Sequence, residues 1–215
     1  MSPTAGSLEL DHVTLAIAGV PLIAALNLTV AAGTVATVMG PSGCGKSSLL
    51  AYLCGTLASD FTATGSVRID GVAVDGLPPE ARHIGILFQD DLLFPHLSVG
   101  DNLAFGLAPQ IRGRAARRER IEAALVEADL AGMAERDPDT LSGGQRARIA
   151  VMRTLLSEPH ALLLDEPFSR LDAALRERFR SFVFEHAQAR GIPTLLVTHD
   201  PDDAASAGGP IVRLG

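Results

Sequence analysis

Residues 34–48 read Thr-Val-Ala-Thr-Val-Met-Gly-Pro-Ser-Gly-Cys-Gly-Lys-Ser-Ser, and this stretch decides the fold. The near-continuous apolar run 34–39 suits a parallel strand covered on both faces. Gly40, Pro41, Ser42, Gly43, Cys44 and Gly45 break it, and Lys46, Ser47 and Ser48 lead into a helix with apolar Leu49, Leu50 and Leu53. A strand, a glycine-rich loop and a helix in that order make a cradle for phosphate. The glycines let backbone N–H groups turn inward, the helix N-terminus adds partial positive charge, and a hydroxyl at Ser47 suits Mg²⁺. Lys46 would neutralise the terminal phosphates. All 18 basic side chains but one are arginine, and the single lysine is Lys46. A compact ammonium fits between phosphates where a planar guanidinium does not.

Three further apolar runs, 84–88, 161–164 and 194–197, have the same character, and each ends at something polar: Gln89, Asp165 with Glu166, and Thr198 with His199. Open parallel sheets bind ligands outside the carboxyl ends of their strands, so these endings are expected to converge with the phosphate loop. Elsewhere the pattern changes. Runs 8–15 and 26–30, and 66–69 followed by Asp70-Gly71, predict a small antiparallel layer. Between Ser98 and Leu156 the period becomes helical, with Ile121 and Leu125 four apart, which predicts a helical lobe inserted over roughly 91–157. Asp137-Pro138-Asp139 breaks the chain before Leu141. The reading is an α/β fold: one domain over 1–215, with a parallel sheet, an N-terminal antiparallel β layer and an inserted α-helical subdomain.

Composition excludes several classes. The chain has 215 residues, 47% of them apolar, which rules out disorder and allows folding to bury roughly 70% of the unfolded surface without staples. Two cysteines, Cys44 and Cys54, are too few for a secreted disulfide framework and read as thiols in a reducing compartment. A net charge of −7 argues against a broad nucleic-acid grip. The uncharged stretch 12–45 is interrupted by Gly19, Pro21, Asn27 and Gly33, and alternates at Leu26, Leu28 and Val30, so it reads as sheet rather than membrane span. Residues 1–10 show no export signal. The dense basic run Arg112, Arg114, Arg117, Arg118 and Arg120 reads as a solvated helix face.

A second motif narrows the field. Leu141-Ser142-Gly143-Gly144-Gln145 opens another helical stretch, where Ser142 can cap the helix and the glycine N–H groups present a second anion nest. With both motifs present, the chain resembles the ATP-binding subunit of an ABC transporter over almost its whole length. The resemblance makes 162–166 the Walker B strand, Gln89 the Q-loop glutamine, Ser169-Arg170-Leu171-Asp172 the D-loop and His199 the switch histidine, all in the family's order.

That resemblance implies a P-loop NTPase core, and ATP held by residues 40–48 and Gln89 of one copy and by Ser142, Gly143, Gly144 and Gln145 of a second, head-to-tail copy. It implies Mg²⁺ at Ser47, Asp165 and Gln89, a water oriented or deprotonated by Glu166, and a hydrogen bond from His199 to the terminal phosphate; Lys46 and Gln89 complete the catalytic set. The implied partners are transmembrane permease subunits and an extracytoplasmic substrate-binding protein, with the chain at the cytoplasmic face of the membrane and no nucleic acid involved. Residues 90–99 resemble the importer branch that handles iron, thiamine, sulfate, polyamines or maltose. Leu93, Phe94 and Leu97 there read equally as permease docking or as core. The C-terminal regulatory domain of several such importers is not expected here.

Two positions depart from the pattern. Ile17 stands where the family usually places an aromatic ring on adenine, which predicts weak discrimination between ATP and GTP. Thr34 replaces a common acidic residue. Rival classes fit less well. A chromosome-maintenance ATPase needs a long coiled-coil insert between the two motifs, a translation factor needs two cassettes, and a small-molecule kinase has no use for 141–145. A non-transport ATPase or a nucleotide-controlled binding module of the same superfamily is the remaining alternative, and Glu166 with His199 weighs against the module.

Overall fold

The computed structural model describes residues 6–215; residues 1–5, and the part of the export-signal reading that falls on them, lie outside it. In chain order the elements are β1 (Ser7–Ile17), β2 (Val20–Ala31), β3 (Val35–Met39), α1 (Lys46–Cys54), β4 (Phe61–Ile69), β5 (Val72–Ala73), β6 (Ile84–Leu87) and α2 (Val99–Phe105). They continue with α3 (Arg114–Glu127), α4 (Gly143–Leu155), β7 (Ala161–Asp165), α5 (Ala173–Ala189), β8 (Thr194–Thr198), α6 (Pro201–Ala207) and β9 (Gly208–Arg213).

The antiparallel sheet has the order β2-β1-β4-β5. Its strands alternate as a half-buried sheet must: Leu26, Leu28 and Val30 are buried while Asn27, Thr29 and Ala31 face outward. The second sheet, β6-β7-β8-β3-β9, pairs parallel throughout. All residues of β3 and β8 are buried, because this sheet is covered on both sides. Val38, Leu163, Leu195 and Val197 face α1 and the antiparallel layer, where Leu49, Leu50 and Leu53 meet them. Leu162, Leu164 and Leu196 face a layer of helices through Leu103, Leu125, Ile149 and Phe179, with Phe168 of the turn after β7. Each fully buried Leu or Phe contributes about 1.5–3 kcal/mol.

The four apolar runs form strands within a residue of expectation. One difference concerns Phe88: the strand stops at Leu87, and Phe88 is 45% exposed. It lies past the last sheet pair, Leu87 with Leu164, at the point where the chain leaves the core. Helices α2, α3 and α4 fill the interval where a helical lobe was expected, and Asp137 caps a short 3-10 turn at Pro138–Thr140. Among the described residues no helix is long and apolar enough to cross a membrane.

Two caps set the helices that matter most. Ser142 caps α4 by accepting from Gln145 N–H at 3.3 Å, while Gln145 Oε1 accepts from Ser142 N–H at 2.9 Å, a reciprocal capping box. Ser98 caps α2 by accepting from Asp101 N–H. One helical turn further on, Asn102 is fully buried and ties down the preceding loop. Its Oδ1 accepts from Phe94 N–H at 2.9 Å, and its Nδ2 lies 3.0–3.2 Å from the carbonyls of Phe94, Leu97 and Ser98.

Candidate functional site

The parallel register brings the polar strand endings to one edge. Leu87 pairs with Leu164, Asp165 with Val197, and Met39 with Thr198. Immediately beyond those pairs stand Gln89, Glu166, His199 and the loop from Gly40. They lie in that order across adjacent strands; of these endings Glu166 lines the cavity at the loop, while Gln89 lines a separate one.

The loop is shaped by its glycines. Gly43 and Gly45 have φ of +84° and +95°, a region that L side chains rarely adopt. Gly40 has no room for a side chain, since a Cβ there would lie 2.7 Å from the Leu214 carbonyl oxygen. Lys46 is buried at the first turn of α1, and its Nζ donates to the carbonyls of Gly40 at 2.6 Å and Pro41 at 2.9 Å. The ammonium thus spans the mouth of its own loop, in hydrogen bonds that phosphate oxygens can replace. A cavity of about 250 Å³ opens here, lined by Ser42, Gly43, Gly45, Lys46, Ser47, Ser48, Leu22 and Glu166. Leu22 belongs to β2 and was not anticipated; a Cβ at Gly45 would lie 3.4 Å from its own Cβ. Cys44 is half-buried with its Sγ near Gly40, and it does not line the cavity.

Glu166 has φ of +46°, which costs a non-glycine residue about 1–2 kcal/mol. The strain is held from two sides. Its N–H donates to the Val197 carbonyl at 3.0 Å, and its own carbonyl accepts from Ser169 Oγ at 2.8 Å. The carboxylate turns toward the loop cavity, with Oε2 3.1 Å from His199 Nδ1. Burial first, and then the neighbouring Glu166 charge, push the Asp165 carboxyl above its ordinary pKa, while Lys46 pulls it back. Asp165 thus feels both the Glu166 carboxylate and the Lys46 ammonium.

No cluster of three or more His, Cys, Asp or Glu able to hold a metal occurs among the described residues. The donor set here, one hydroxyl and one or two carboxylates, fits Mg²⁺ that arrives with substrate phosphates, which is how this ion is usually bound. The segment after His199 is fixed by α5: Asp200 pairs with Arg176, and Asp203, 2% exposed, accepts from Arg180 at 3.1 Å. Asp200-Pro201, a capping residue followed by proline at the first helical position, was the available signal for α6.

The second motif lies apart from the first. Ser142 and Gly143 are exposed at the start of α4, and Gly143 lines a different cavity, of about 360 Å³, together with Gln89, Asp91, Arg146, Arg153 and Arg170. Neither cavity contains residues of both glycine-rich motifs. Gly144 is closed by Leu175, while Gly143 has open space above it. Ile17 is half-buried at the end of β1, and Leu93, Phe94 and Leu97 are each partly buried, with Phe94 edge-on to Phe105 at 4.8 Å. Phe105 is 70% exposed and escaped sequence reasoning.

An α/β core with a phosphate loop at the carboxyl edge of a parallel sheet defines a P-loop nucleotide-binding protein. The ABC transporter family matches residues 23–169, and the chain belongs to that family as an ATP-binding, ATP-hydrolysing domain. It is 51% identical over 182 residues to the uncharacterized ABC transporter ATP-binding protein YnjD of Escherichia coli K12, covering 85% of this chain and 83% of that one. It is 42% identical over 207 residues to the Fe(3+) ions import ATP-binding protein FbpC of Agrobacterium fabrum, covering 96% of this chain and 58% of that protein. A solved structure of cbiO1 from Clostridium perfringens, part of the ABC transporter complex cbiONQ, superposes with a TM-score of 0.84 at 26% identity. That match covers 96% of this chain and 84% of cbiO1.

Proposed function

We propose that two copies of this chain close head to tail over ATP and that hydrolysis at their seam drives import through a separate membrane permease. The observation that carries this reading is the separation of the two motifs. Lys46 and Glu166 share one cavity, while Ser142 and Gly143 present an exposed helix N-terminus elsewhere. A capped helix start with open space over Gly143 is an anion site without an anion of its own in the same subunit. The import direction is supported by the relatives named as Fe(3+) import proteins and by the loop that follows Gln89.

In this reading the N–H groups of the loop 40–45, all but Pro41 having one, together with Lys46, Ser47 and Ser48 hold the phosphates, and Lys46 gives up the hydrogen bonds it now makes to the Gly40 and Pro41 carbonyls. Mg²⁺ held by Ser47, Asp165 and Gln89 would neutralise charge on the last two phosphates. Glu166 accepts the proton of the attacking water, or orients it, and the strain at its backbone fixes where the carboxylate points. His199 keeps Glu166 in place through Nδ1 and offers its other ring nitrogen to the terminal phosphate. Lys46, the loop amides and the partner copy's signature spread the developing negative charge. Permease subunits dock beside Gln89, which places the chain at the cytoplasmic face of the membrane, and an extracytoplasmic binding protein supplies the cargo.

The test is the dependence of turnover on protein concentration. Activity per molecule should rise with concentration and become cooperative in ATP. Constant activity on dilution, with no association at any ATP level, refutes the shared site.

A further inference from the structure

Strands β7 and β8 lie side by side, and the last backbone bond between them is the Glu166 N–H donating to the Val197 carbonyl at 3.0 Å. Past it the chain leaves the sheet twice, once through Glu166, Pro167 and Phe168 toward α5 and once through His199 and Asp200 into α6. Two departing segments have no ladder to keep them in register, yet Glu166 Oε2 and His199 Nδ1 stand 3.1 Å apart where they diverge. The His199 side chain is 60% exposed, and among the described residues Glu166 is its one hydrogen-bond partner, so packing does little to hold the pair in place.

Arg176, near the start of α5, joins the two segments. Its Nε donates to the carbonyl of Phe168, two residues after Glu166, at 3.1 Å, and its Nη1 pairs with Oδ2 of Asp200, the residue after His199. Both partners are themselves fixed. Phe168 is fully buried, and its carbonyl also accepts from Leu171 N–H at 3.2 Å. Asp200 turns its other oxygen, Oδ1, to the Asp202 N–H at 2.8 Å as the cap of α6, and its own N–H donates to Thr198 Oγ1 at 3.0 Å. The Arg176 and Asp200 side chains are only 26% and 25% exposed, so solvent screens this pair less than a surface one. A planar guanidinium presents donors to both partners in a fixed fork, which a flexible ammonium does not. One turn along, Arg180 pairs with Asp203 of α6, which reaches back only to the Thr198 hydroxyl, at 3.4 Å.

We propose that Arg176 is a positioning residue for hydrolysis: by holding the Phe168 carbonyl and the Asp200 carboxylate together, it sets the spacing of Glu166 and His199. This rests on the reading above that Glu166 acts on the attacking water and His199 on the terminal phosphate. Arg176 makes no hydrogen bond to either of those side chains, and its effect runs through the backbone. On one side it fixes the turn that follows Glu166, whose φ of +46° is held only by its surroundings. On the other it fixes the residue covalently joined to His199. A shift on the order of 1 Å in either segment breaks a contact of 3.1 Å, and misplacement of that size can cost on the order of 100-fold in rate. No part of this frame has to move for it to act.

The test compares Arg176→Lys, Asp200→Asn and Arg180→Lys on the full chain for kcat, KM for ATP, thermal midpoint and the imidazole nitrogen NMR signals of His199, identified by their loss in His199→Gln. Asparagine caps a helix as well as aspartate does, so Asp200→Asn keeps the start of α6 and removes only the charge that Arg176 holds. Arg176→Lys and Asp200→Asn should each lower kcat by about 10- to 100-fold, leave KM for ATP within about twofold and displace the His199 Nδ1 signal. Arg180→Lys should lower the midpoint, because Asp203 is buried, while kcat stays within about twofold and the His199 signal stays in place. Wild-type kcat in Arg176→Lys or Asp200→Asn, an equal loss of kcat in Arg180→Lys, or a fall in kcat with the His199 signal unmoved overturns the role of Arg176 alone. Hydrolysis that survives Glu166→Gln overturns the functional reading, and the role of Arg176 with it.

Discussion

Replacing Asn102 by alanine separates an organised loop from one that merely lies on the surface. The amide oxygen accepts one hydrogen bond and the two amide hydrogens are shared among three carbonyls, of which two keep another donor: Phe94 O accepts from Leu97 N–H at 3.2 Å and Ser98 O from Asn102 N–H at 2.9 Å. Phe94 N–H and the Leu97 carbonyl are left without a partner. Two lost bonds at about 1 kcal/mol each, plus a partial penalty for two groups that water reaches incompletely, give an expected loss of about 2–4 kcal/mol. Asn102→Asp keeps the acceptor for Phe94 N–H but turns a carboxylate oxygen toward three carbonyls, and should cost at least as much. The assay is urea unfolding with an unchanged m-value, so that the shift in midpoint reports stability alone. A loss below about 1 kcal/mol for alanine, or a harmless Asn102→Asp, refutes the view that this amide builds the 94–98 loop.

Further outcomes follow from the site. Lys46→Arg should bind ATP poorly and lose hydrolysis although the charge is kept, because a guanidinium cannot make both short contacts inside the Gly40–Pro41 turn; wild-type turnover in phosphate-release assays would remove the lysine from the account. Burial pushes the Cys54 thiol up to about 11. The folded state therefore retains this proton more firmly than the unfolded chain, so its contribution to stability is intact below the ordinary thiol range and is lost as pH rises from about 9 toward 11. Cys54→Ala should flatten that part of the stability profile, and an unchanged slope in denaturation at pH 9–11 would contradict it.

Much of the fold is legible in the sequence because parallel strands buried on both faces must be apolar at every position, and 34–39, 161–164 and 194–197 satisfy that with few polar intrusions. The phosphate loop is legible for a different reason: backbone at positive φ demands glycine, and Gly43 and Gly45 supply it. The Ser142 cap could be read because a capping box is local, spanning four residues. β9 was not read. Its Gly208, Gly209 and Pro210 look like a break, and they are tolerated only because the strand lies at the sheet edge. Asn102 was not singled out, since nothing in a one-dimensional pattern reveals that the preceding loop folds back over it. The contacts of Arg146 with Asp91 and of Arg170 with Asp90 join residues 55 and 80 positions apart, and single-sequence periodicity carries no information at that range. Neither does it show that Glu166 is held in the left-handed region, a strain imposed by Val197 and Ser169 rather than by its neighbours in sequence.

The central claim, that fuel is enclosed between two copies before any bond breaks, is tested most directly by the mass of Glu166→Gln in solution with excess Mg²⁺-ATP, measured by light scattering on a size-exclusion column. The account predicts a stable dimer holding two unhydrolysed nucleotides, dispersing to single chains when Lys46 is also changed to arginine. A particle of one chain, saturated with ATP and indifferent to concentration, would contradict it.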